Sequence, residues 1–435
     1  MTISQIKEGL HNGDFSSKLA ELYGADAVAE QTERYLGAIR GFERRFGSPD
    51  INQDREIGIY SAPGRAEIGG NHTDHQRGRV LAAAIHLDVL GIAAPSGNPG
   101  VIELCSEGYA DVSVSRDLPY DKQSPGALIR GILDYFDISG YKSGGLDIYM
   151  TSRVLEGSGL SSSAAFETLI GTVLSHEYNA GAVPVIEIAK AGRHAENNFM
   201  GKPSGLMDQT ASAYGGFVYI DFYNDEPAVQ TIRFDPHEAG YELCVVSTRS
   251  DHASLTADYA SMPVEMKAVA ARLGHEVLGF CDKAMFYKQL PAIRGEVGDR
   301  ALQRAMHFFD ENDRVLKQAG LLKSGQIKDF LSLVNASGLS SSMLLQNIYT
   351  ADSSAAQPVS LALALSRAIM EEEDGACRVQ YSGACRVHGG GFAGTILAFV
   401  PISLYKHYSA ELDGCFGPGS CQKLAVRSAG AVRVI

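Results

Sequence analysis

Residues 157–165 read GSGLSSSAA, and a helical pattern of apolar side chains continues from them to Tyr178. Small residues just before a helix leave bare backbone N–H groups beside the positive end of the helix dipole, and this arrangement binds anions. A Ser-rich helix cap is the ordinary structural alternative, but the density of glycine and serine favours a phosphate-binding loop. Because the chain contains no GxxxxGK[ST] motif, P-loop NTPases are excluded.

Two further glycine-containing segments lie far from this one, APGRAEIGGNHTDH at residues 62–75 and HGGGFAG at residues 388–394. The second matches GxGxxG, but it precedes a strand-like pattern over residues 395–400, whereas a dinucleotide-binding loop opens a helix. It also reads HGGG, as in the oxyanion loops of lipases, yet the chain has no GxSxG motif for the nucleophile. Dinucleotide binding and acyl hydrolysis are therefore excluded. Each of the three segments alone is a weak indication of function, and only their combination is specific.

Two carboxylates, Glu196 and Asp208, flank the glycine-containing stretch GKPSGLM at residues 201–207. A carboxylate beside such a stretch is commonly a turn or cap residue. Two carboxylates near a phosphate-binding loop can also serve as a magnesium ligand and a general base. The stretch is therefore a candidate for the catalytic centre.

The segment 62–75 contains a second group of polar side chains, His72, Asp74 and His75. These residues could suggest a metal site, but no third His or Cys lies at a suitable spacing. Carboxylates and imidazoles also make directional hydrogen bonds to hydroxyl groups. We therefore interpret this group as a site for sugar hydroxyls.

The composition excludes several classes of partner. The formal net charge of −13 argues against a general nucleic-acid binder, because phosphate backbones need a concentrated Lys/Arg footprint. The seven cysteines are scattered without a CxxC pair, so neither a disulfide framework nor a zinc site is expected. There is no signal-peptide pattern and no apolar run of about 18 residues. We expect a cytoplasmic protein that binds neither nucleic acid nor membrane.

Length and pattern together predict two domains. At 435 residues the chain exceeds the usual size of a single core. Residues 1–50 have a helical pattern, and from Ile57 short apolar runs separated by Gly and Pro indicate strands, with helical patterns after them. We place the domain boundary at residues 228/229. The stretch GLSSS at residues 338–342 repeats part of the phosphate loop and is predicted to start a helix.

The motifs resemble the GHMP kinase superfamily and, within it, the galactokinase family. The match runs from about Phe42 to the C-terminus, and its specific parts are PGR at 63–65, GNHTD at 70–74, the loop 157–165, AEN at 195–197, GLMDQ at 205–209 and the glycines of 389–394. The resemblance implies an α+β, two-domain GHMP kinase fold. A ribosomal S5 domain 2-like N-terminal domain would cover residues 1–228, and a ferredoxin-like C-terminal GHMP kinase domain would cover residues 229–435.

The resemblance also implies the ATP-dependent phosphorylation of galactose at its C1 hydroxyl. Asp208 would be the base, and Arg65 beside it would keep Asp208 ionised and stabilise charge at the transferring phosphoryl group. Mg²⁺ would be held by Ser163 and Glu196. The ATP phosphates would be bound by Gly157, Ser158, Gly159, Leu160, Ser161, Ser162 and Ser163. The sugar would be bound by Asn71, His72, Asp74, Gly205 and Tyr259, with His252 as a further family feature.

The signature departs from the family pattern at two positions. Galactokinases normally read GEHTDY, in which the Glu accepts the sugar's 6-hydroxyl, whereas this chain has Asn71 and His75. A neutral amide can still hydrogen-bond a CH₂OH group, and it repels a C6 carboxylate less than Glu does. Galactose is therefore the first expectation, with galacturonate or another galacto-configured sugar as the alternative.

Two other functions stay open. A non-catalytic regulator that binds galactose and ATP is one, although such proteins tend to lose residues of the phosphate loop, which is intact here. A GHMP kinase for a non-sugar alcohol such as homoserine is disfavoured by the HTD triplet and by the MDQ triplet at residues 207–209. The expected partners are the sugar and ATP, bound by a monomer or a weak dimer.

Overall fold

The computed structural model describes residues 1–47, 55–115, 119–154, 159–202, 204–250, 256–350, 356–373, 379–392 and 394–435. The helices are α1 (Ile3–Asn12), α2 (Ser16–Tyr23), α3 (Val28–Phe46), α4 (Pro125–Ile138), α5 (Ser162–Asn179), α6 (Val185–His194), α7 (Met207–Tyr214), α8 (Thr256–Arg272), α9 (Lys283–Val297), α10 (Asp299–Lys323), α11 (Ile327–Ser340), α12 (Pro358–Met370) and α13 (Ile402–Phe416). The strands are β1 (Gly58–Gly69), β2 (Arg79–Pro95), β3 (Val101–Ser106), β4 (Val112–Ser115), β5 (Leu146–Ser152), β6 (Phe217–Asp221), β7 (Ala228–Ile232), β8 (Tyr241–Ser247), β9 (Glu371–Glu373), β10 (Val379–Tyr381), β11 (Ala384–His388), β12 (Thr395–Pro401), β13 (Cys421–Leu424) and β14 (Val432–Arg433).

An eight-stranded sheet is built mainly from the first half of the chain. The hairpin β1–β2 pairs antiparallel, and β2 pairs with β5 along one part of its length and with β6 along another. β3 runs parallel to β5, and β14 returns the C-terminal residues to the edge of β1. Helices cover both faces of β1, so every residue of this strand is buried. The strand that carries Arg65 is thus held in the interior.

Side chains alternate between the two faces of β1, which assigns them to two different cores. Ile59 packs with apolar residues of α1 to α3 on one face, where Ile6 and Phe42 belong to the same cluster. Tyr60 and Ala62 lie in the main core on the other face, together with residues of α4 and α5. The three N-terminal helices therefore act as a layer on the outer face of the sheet.

A four-stranded antiparallel sheet in the order β11-β12-β8-β13 forms the second half of the fold. Leu397 and Phe399 of β12 join Phe330 of α11 in the main core, which both sheets share. The opposite face is covered by α12 and α13 around Tyr408. Helices α8, α9 and α10 pack in a separate cluster that includes Phe308. The mixture of helices and two sheets agrees with the predicted α+β class.

Most of the predicted elements lie where the sequence pattern places them, and one is wrong. Residues 338–342 do not start a helix: they end α11 and enter a π-helical turn, Ser341–Leu345. The apolar pattern that builds α11 precedes these residues, through Phe330 and Val334, so the serines fall at its C-terminal end. Helix α6 ends at His194, and the chain continues as a π-helical turn, Ala195–Met200.

The predicted domain boundary at residues 228/229 lies at the first residues of β7. This strand still pairs with β6 in the first sheet, and the second sheet begins with β8. The division into two domains at this position stays a prediction. In the parts of the chain that the structure describes, no helix combines the length and the apolar character needed to cross a membrane.

Candidate active site

A paired arginine and aspartate lie at the centre of the candidate site. Arg65 lies in β1 between two irregularities of its pairing with β2, and Asp208 lies in the first turn of α7. Nε of Arg65 lies 2.7 Å from Oδ1 of Asp208, and Nη2 lies 2.6 Å from Oδ2. Nη1 of Arg65 donates to the carbonyl of Gly159, and Oγ of Ser161 donates to Asp208. The fold thus brings three distant segments together around one carboxylate.

The neighbours of Asp208 keep its carboxylate charged, and part of its side chain is exposed. The side chain of Asp208 is 31% exposed, whereas that of Arg65 is 7% exposed. Burial acts to raise the pKa of Asp208, but the charge and hydrogen bonds of Arg65, the hydrogen bond from Ser161 and the charge of Lys202 together lower it below its ordinary value. Asp208 is therefore ionised at neutral pH and has an accessible edge.

The N-terminus of α5 supplies the predicted phosphate loop. Ser161 is the N-cap residue and has a left-handed backbone conformation (φ 57°). Its side chain is directed to Asp208, and no side chain among the described residues caps α5. The first backbone N–H groups of the helix are therefore open to an anion. Leu160 is buried in the main core, and its carbonyl accepts the N–H of Arg65 at 3.0 Å, which fixes the loop to β1.

Ser163 and Glu196, the predicted magnesium ligands, lie side by side. Ser163 Oγ is 3.2 Å from Glu196 Oε1. Glu196 belongs to the π-helical turn after α6, and Gln209 Nε2 donates to its Oε2 at 3.0 Å. Nζ of Lys202 donates to Oε1 at 2.5 Å. One carboxylate and one hydroxyl beside a phosphate loop suit Mg²⁺, which is usually held by one or two carboxylates together with substrate phosphates.

The GNHTDH segment forms the connection between β1 and β2. Gly70, His72 and Arg77 all have positive φ, at 91°, 61° and 59°. A Cβ atom on residue 70 would lie 2.5 Å from the carbonyl oxygen of Arg79, so the turn requires glycine at this position. For the non-glycine His72, the left-handed conformation costs about 1–2 kcal/mol, which the packing around it has to offset.

His72 and Tyr259 form the wall of the site between this loop and α8. Their rings meet edge-on with centroids 5.0 Å apart, and His72 also stacks on His75 at 5.9 Å. Burial and the neighbouring His75 lower the pKa of His72 to about 3, so the imidazole is neutral. Its Nε2–H donates to the carbonyl of Gly390 at 3.2 Å, which leaves Nδ1 as an acceptor.

Asp74 and Gly205 connect the GNHTDH segment to the loop that ends at Asp208. The side chain of Asp74 approaches residue 205 so closely that a Cβ atom there would collide with Oδ2 of Asp74. The backbone N–H of His75 donates to the other carboxylate oxygen at 2.9 Å. Two of the predicted sugar-binding residues are thus neighbours, and the glycine permits their approach.

Asn71 has a different environment, because it is 1% exposed. Its Nδ2 donates to Oε1 of Glu67 at 2.8 Å and to the carbonyl of Gly389 at 2.8 Å. Its Oδ1 accepts a hydrogen bond from Nδ2 of Asn347 at 2.7 Å. Both donors and the oxygen of the amide therefore have protein partners. Whether Asn71 also contacts the C6 substituent of a sugar stays a prediction.

The glycine-rich loop after β11 closes the site from the second sheet. His388 Nε2 accepts the backbone N–H of Glu67 at 3.0 Å. A Cβ on Gly390 would lie 2.5 Å from the ring of Tyr259, and one on Gly391 would collide with the backbone of Asn347. The glycines of this loop therefore allow α8 and the segment around Asn347 to approach it.

Comparisons with known proteins give two family matches and several relatives. The GHMP kinases N terminal domain family matches residues 127–216, and the galactokinase galactose-binding signature matches residues 40–95. A galactokinase of Enterococcus faecalis (strain ATCC 700802 / V583) is 30% identical over 367 residues, which cover 81% of this chain and 88% of the relative. The chain belongs to the galactokinase family. It is accordingly an ATP-dependent sugar kinase by family.

A further relative and two solved structures are also similar to this galactokinase-family chain. A galactokinase of Limosilactobacillus reuteri (strain DSM 20016) is 28% identical over 310 residues, which cover 67% of this chain and 76% of the relative. The crystal structure of Lactococcus lactis galactokinase complexed with galactose has a TM-score of 0.76 at 21% identity, covering 92% of this chain and 99% of that one. A mevalonate kinase structure has a TM-score of 0.56 at 16% identity and covers 85% of this chain and 98% of its own. The GHMP kinase fold is therefore shown.

Sequence reasoning missed several residues of this galactokinase-family site. Lys202 lies inside the GKPSGLM stretch, and its position near two carboxylates was a signal that could have found it. Glu67 lies within segment 62–75, but none of the motifs in that segment assigns it a role. Asn347 and Arg386, which contact Asn71 and Glu67, carry no local signal. Three residues named from the sequence, Gly157, Ser158 and His252, lie outside the described residues.

Proposed function

We propose that this galactokinase-family enzyme transfers the γ-phosphoryl group of ATP to the C1 hydroxyl of galactose, giving galactose 1-phosphate and ADP. The observation that supports this most directly is the bidentate Arg65–Asp208 pair beside the open N-terminus of α5. Galactose as the sugar is supported by the match to the galactose-binding signature over residues 40–95 and by the likeness to a galactokinase complexed with galactose.

In this proposal Asp208 accepts the proton of the anomeric hydroxyl while that oxygen attacks the γ-phosphorus. Because its pKa is lowered, Asp208 is a weak base, which suits a loose transition state in which the attacking oxygen needs little prior activation. The exposed edge of the carboxylate leaves room for the hydroxyl. Positioning of the acceptor is then the larger part of what Asp208 contributes.

Arg65 has two tasks in the same step. Its two hydrogen bonds hold the Asp208 carboxylate in one orientation, and its charge stabilises the negative charge on the transferring phosphoryl group. The backbone N–H groups at the start of α5, from Ser162 onward, would bind the ATP phosphates. Arg65 Nη1 is already bonded to the carbonyl of Gly159, so the guanidinium also sets the distance between base and phosphate loop.

Ser163 and Glu196 would hold Mg²⁺, which when bound neutralises charge on the ATP phosphates. The residues fit this ion because a hydroxyl and a buried carboxylate lie 3.2 Å apart at the phosphate loop. Lys202 also donates to the Oε1 atom of Glu196. A bound Mg²⁺ would therefore compete with Lys202 for this oxygen.

The sugar would lie against the GNHTDH loop and α8. The neutral His72 offers Nδ1 as an acceptor for a hydroxyl hydrogen bond, and Asp74 offers a carboxylate. Tyr259 would cover one face of the sugar, and the backbone of Gly205 would bind a further hydroxyl. These groups suit the hydroxyl groups of a neutral sugar and not a charged substrate.

The proposal is tested with purified protein, ATP and Mg²⁺ against galactose, galactosamine derivatives, galacturonate, arabinose and glucose. Formation of ADP is followed with a coupled assay, and sugar phosphate is followed by mass spectrometry. We expect galactose to give the highest kcat/KM. Binding of galactose and ATP without any turnover would contradict the proposal in favour of a regulator, and a preference for another sugar would contradict galactose as substrate.

A further inference from the structure

The side chain of Asn71 is completely engaged by the protein. An amide has two N–H donors and an oxygen that can accept two hydrogen bonds. Here the donors go to Glu67 and Gly389, and the oxygen accepts from Asn347 and, at a longer distance, from Ser341. The Oγ atom of Ser341 lies 3.4 Å from the same oxygen. A sugar hydroxyl could bond to this amide only by displacing one of these buried partners.

Glu67 cannot move away to release Asn71, because Arg386 fixes it. Nη2 of Arg386 donates to the same Oε1 atom that accepts the Asn71 amide, at 3.0 Å. The side chains of Arg386 and Glu67 are 0% and 3% exposed. Arg386 also donates to the carbonyl of Ile68 at 3.0 Å and lies 3.8 Å from Glu311. Separating Glu67 from Arg386 would leave a buried charge with weaker pairing, which is strongly unfavourable.

The backbone around position 71 is fixed as well. His307 Nε2–H donates to the carbonyl of Asn71 at 3.0 Å, and Ser340 donates to the other ring nitrogen at 2.8 Å. The N–H of Gly70 donates to Oε1 of Glu311 at 3.0 Å. Helix α10, which carries His307 and Glu311, thus holds this part of the loop in place.

We propose that Glu67, Asn71 and Arg386 form a closed unit that excludes position 71 from sugar recognition, so that the enzyme accepts galacto-configured sugars with or without a hydroxyl at C6. The inference rests on the proposed function and refines its substrate class. Selection would then depend on the hydroxyl groups that face His72, Asp74 and Tyr259. A 6-deoxy sugar keeps all of those hydroxyls.

A carboxylate at position 71 would behave differently. A carboxylate has about four acceptor positions, so it could accept from Asn347 and still have positions left for a sugar hydroxyl. In the present chain that carboxylate would lie against Oε1 of Glu67, and two buried carboxylates in contact are unfavourable. The unit therefore tolerates one carboxylate, and Glu67 supplies it.

The first test uses the wild-type enzyme with D-galactose and 6-deoxy-D-galactose, comparing kcat/KM and the calorimetric Kd of each sugar. We expect both ratios to lie within about threefold, because a missing hydroxyl without a protein partner changes little. A preference for galactose of about tenfold or more, the size expected for a hydrogen bond to a charged group, would overturn the inference. If neither sugar binds or reacts, the proposed function fails, and this inference fails with it.

The second test exchanges the two side chains. The double variant Glu67→Asn with Asn71→Glu keeps the number of carboxylates and adds free acceptor positions at residue 71. It should prefer galactose over the 6-deoxy sugar by about tenfold, whereas an unchanged ratio in the folded double variant would overturn the inference. Asn179→Asp is the matched control, because it adds a carboxylate at the opposite end of α5, and its ratio should equal that of the wild type. If the double variant does not fold, the wild-type comparison still decides.

Discussion

Arg65 and Glu67 lie two residues apart on the same face of β1, yet their ion pairs differ. Arg65 pairs with Asp208, and Glu67 pairs with Arg386. The Arg65–Asp208 pair includes a carboxylate whose side chain is 31% exposed. The Glu67–Arg386 pair is 3% and 0% exposed, and its neighbour Asn71 has no spare hydrogen-bonding atom. Of the two pairs, only the first has a carboxylate that a molecule from outside can contact. The second can hold the loop and limit which sugar groups are recognised.

The largest effect should come from removing the exposed carboxylate. Asp208→Asn keeps the shape but cannot accept a proton, so kcat should fall by about 10²–10⁴-fold while the calorimetric Kd for ATP stays close to the wild-type value. Asp221→Asn is the matched control, because Asp221 also pairs with an arginine, at 2.7 Å from Nε of Arg79. An Asp208→Asn enzyme with near-normal kcat would show that another group is the base.

The buried pair should respond in stability more than in turnover. Glu67→Gln leaves Arg386 with Glu311 at 3.8 Å as its nearest charged partner, so the free energy of unfolding should fall by about 3 kcal/mol. The measurement is best made by urea unfolding at pH 8, because burial raises the pKa of Glu67 to about 7. Glu103→Gln, at a half-buried site where the side chain accepts only from Ser113 among the described residues, should change stability much less. A loss of kcat as large as that of Asp208→Asn, without a loss of stability, would contradict this separation of roles.

Substitutions of Glu196 and of Lys202 should change the Mg²⁺ concentration needed for half-maximal rate in opposite directions. Glu196→Gln should raise the Mg²⁺ concentration needed for half-maximal rate, because a charged oxygen ligand is lost. Lys202→Met should lower it, by up to about fivefold, since an ion pair of a largely exposed lysine is worth about 1 kcal/mol or less. Lys190→Met, which breaks ion pairs with Glu187 and Glu226 away from the site, is the control. Unchanged requirements in both variants would make Glu196 a structural residue.

The smallest effect concerns pH. Burial lowers the pKa of His72 in the folded chain from its ordinary value of 6.5 to about 3. Between these values the unfolded state binds more protons, so stability is lost as the pH falls below 6.5. From pH 7.5 to 5.5 the wild type should lose about 1 kcal/mol more than His72→Asn. The raised pKa of Glu67 has the opposite effect, because it adds stability as the pH falls. This contribution is the same in the wild type and in His72→Asn, so it cancels when the two are compared. Equal losses would show that His72 is protonated in the fold.

Local sequence patterns were sufficient for part of this picture. The GSGLSSSAA stretch indicated a phosphate loop at the start of a helix, because glycine, serine and a helical pattern are signals within one segment. The pairing of Arg65 with Asp208 followed from the family resemblance, and the geometry agrees with it. Residues 338–342 were misread because their composition copies the loop while the preceding apolar residues already form α11.

The partners of Asn71 could not be predicted from the sequence. Asn347 lies 276 residues further along the chain, and Gly389 lies 318 residues further. Such contacts depend on how the second sheet and α10 pack against the hairpin β1–β2, which no pattern within the segment encodes. The sequence shows that position 71 departs from the family signature. The consequence for hydrogen bonding could be stated only once the partners of Asn71 in the fold were known.

In the proposed reaction this site phosphorylates the anomeric hydroxyl of galactose, with Asp208 as the base. The most direct test is ³¹P and ¹H nuclear magnetic resonance of the product formed from galactose and ATP by wild type and by Asp208→Asn under identical conditions. We expect a single sugar phosphate, whose phosphorus couples to the C1 proton, from the wild type and almost none from the variant. A product phosphorylated at another carbon, or an equal yield from Asp208→Asn, would contradict the account.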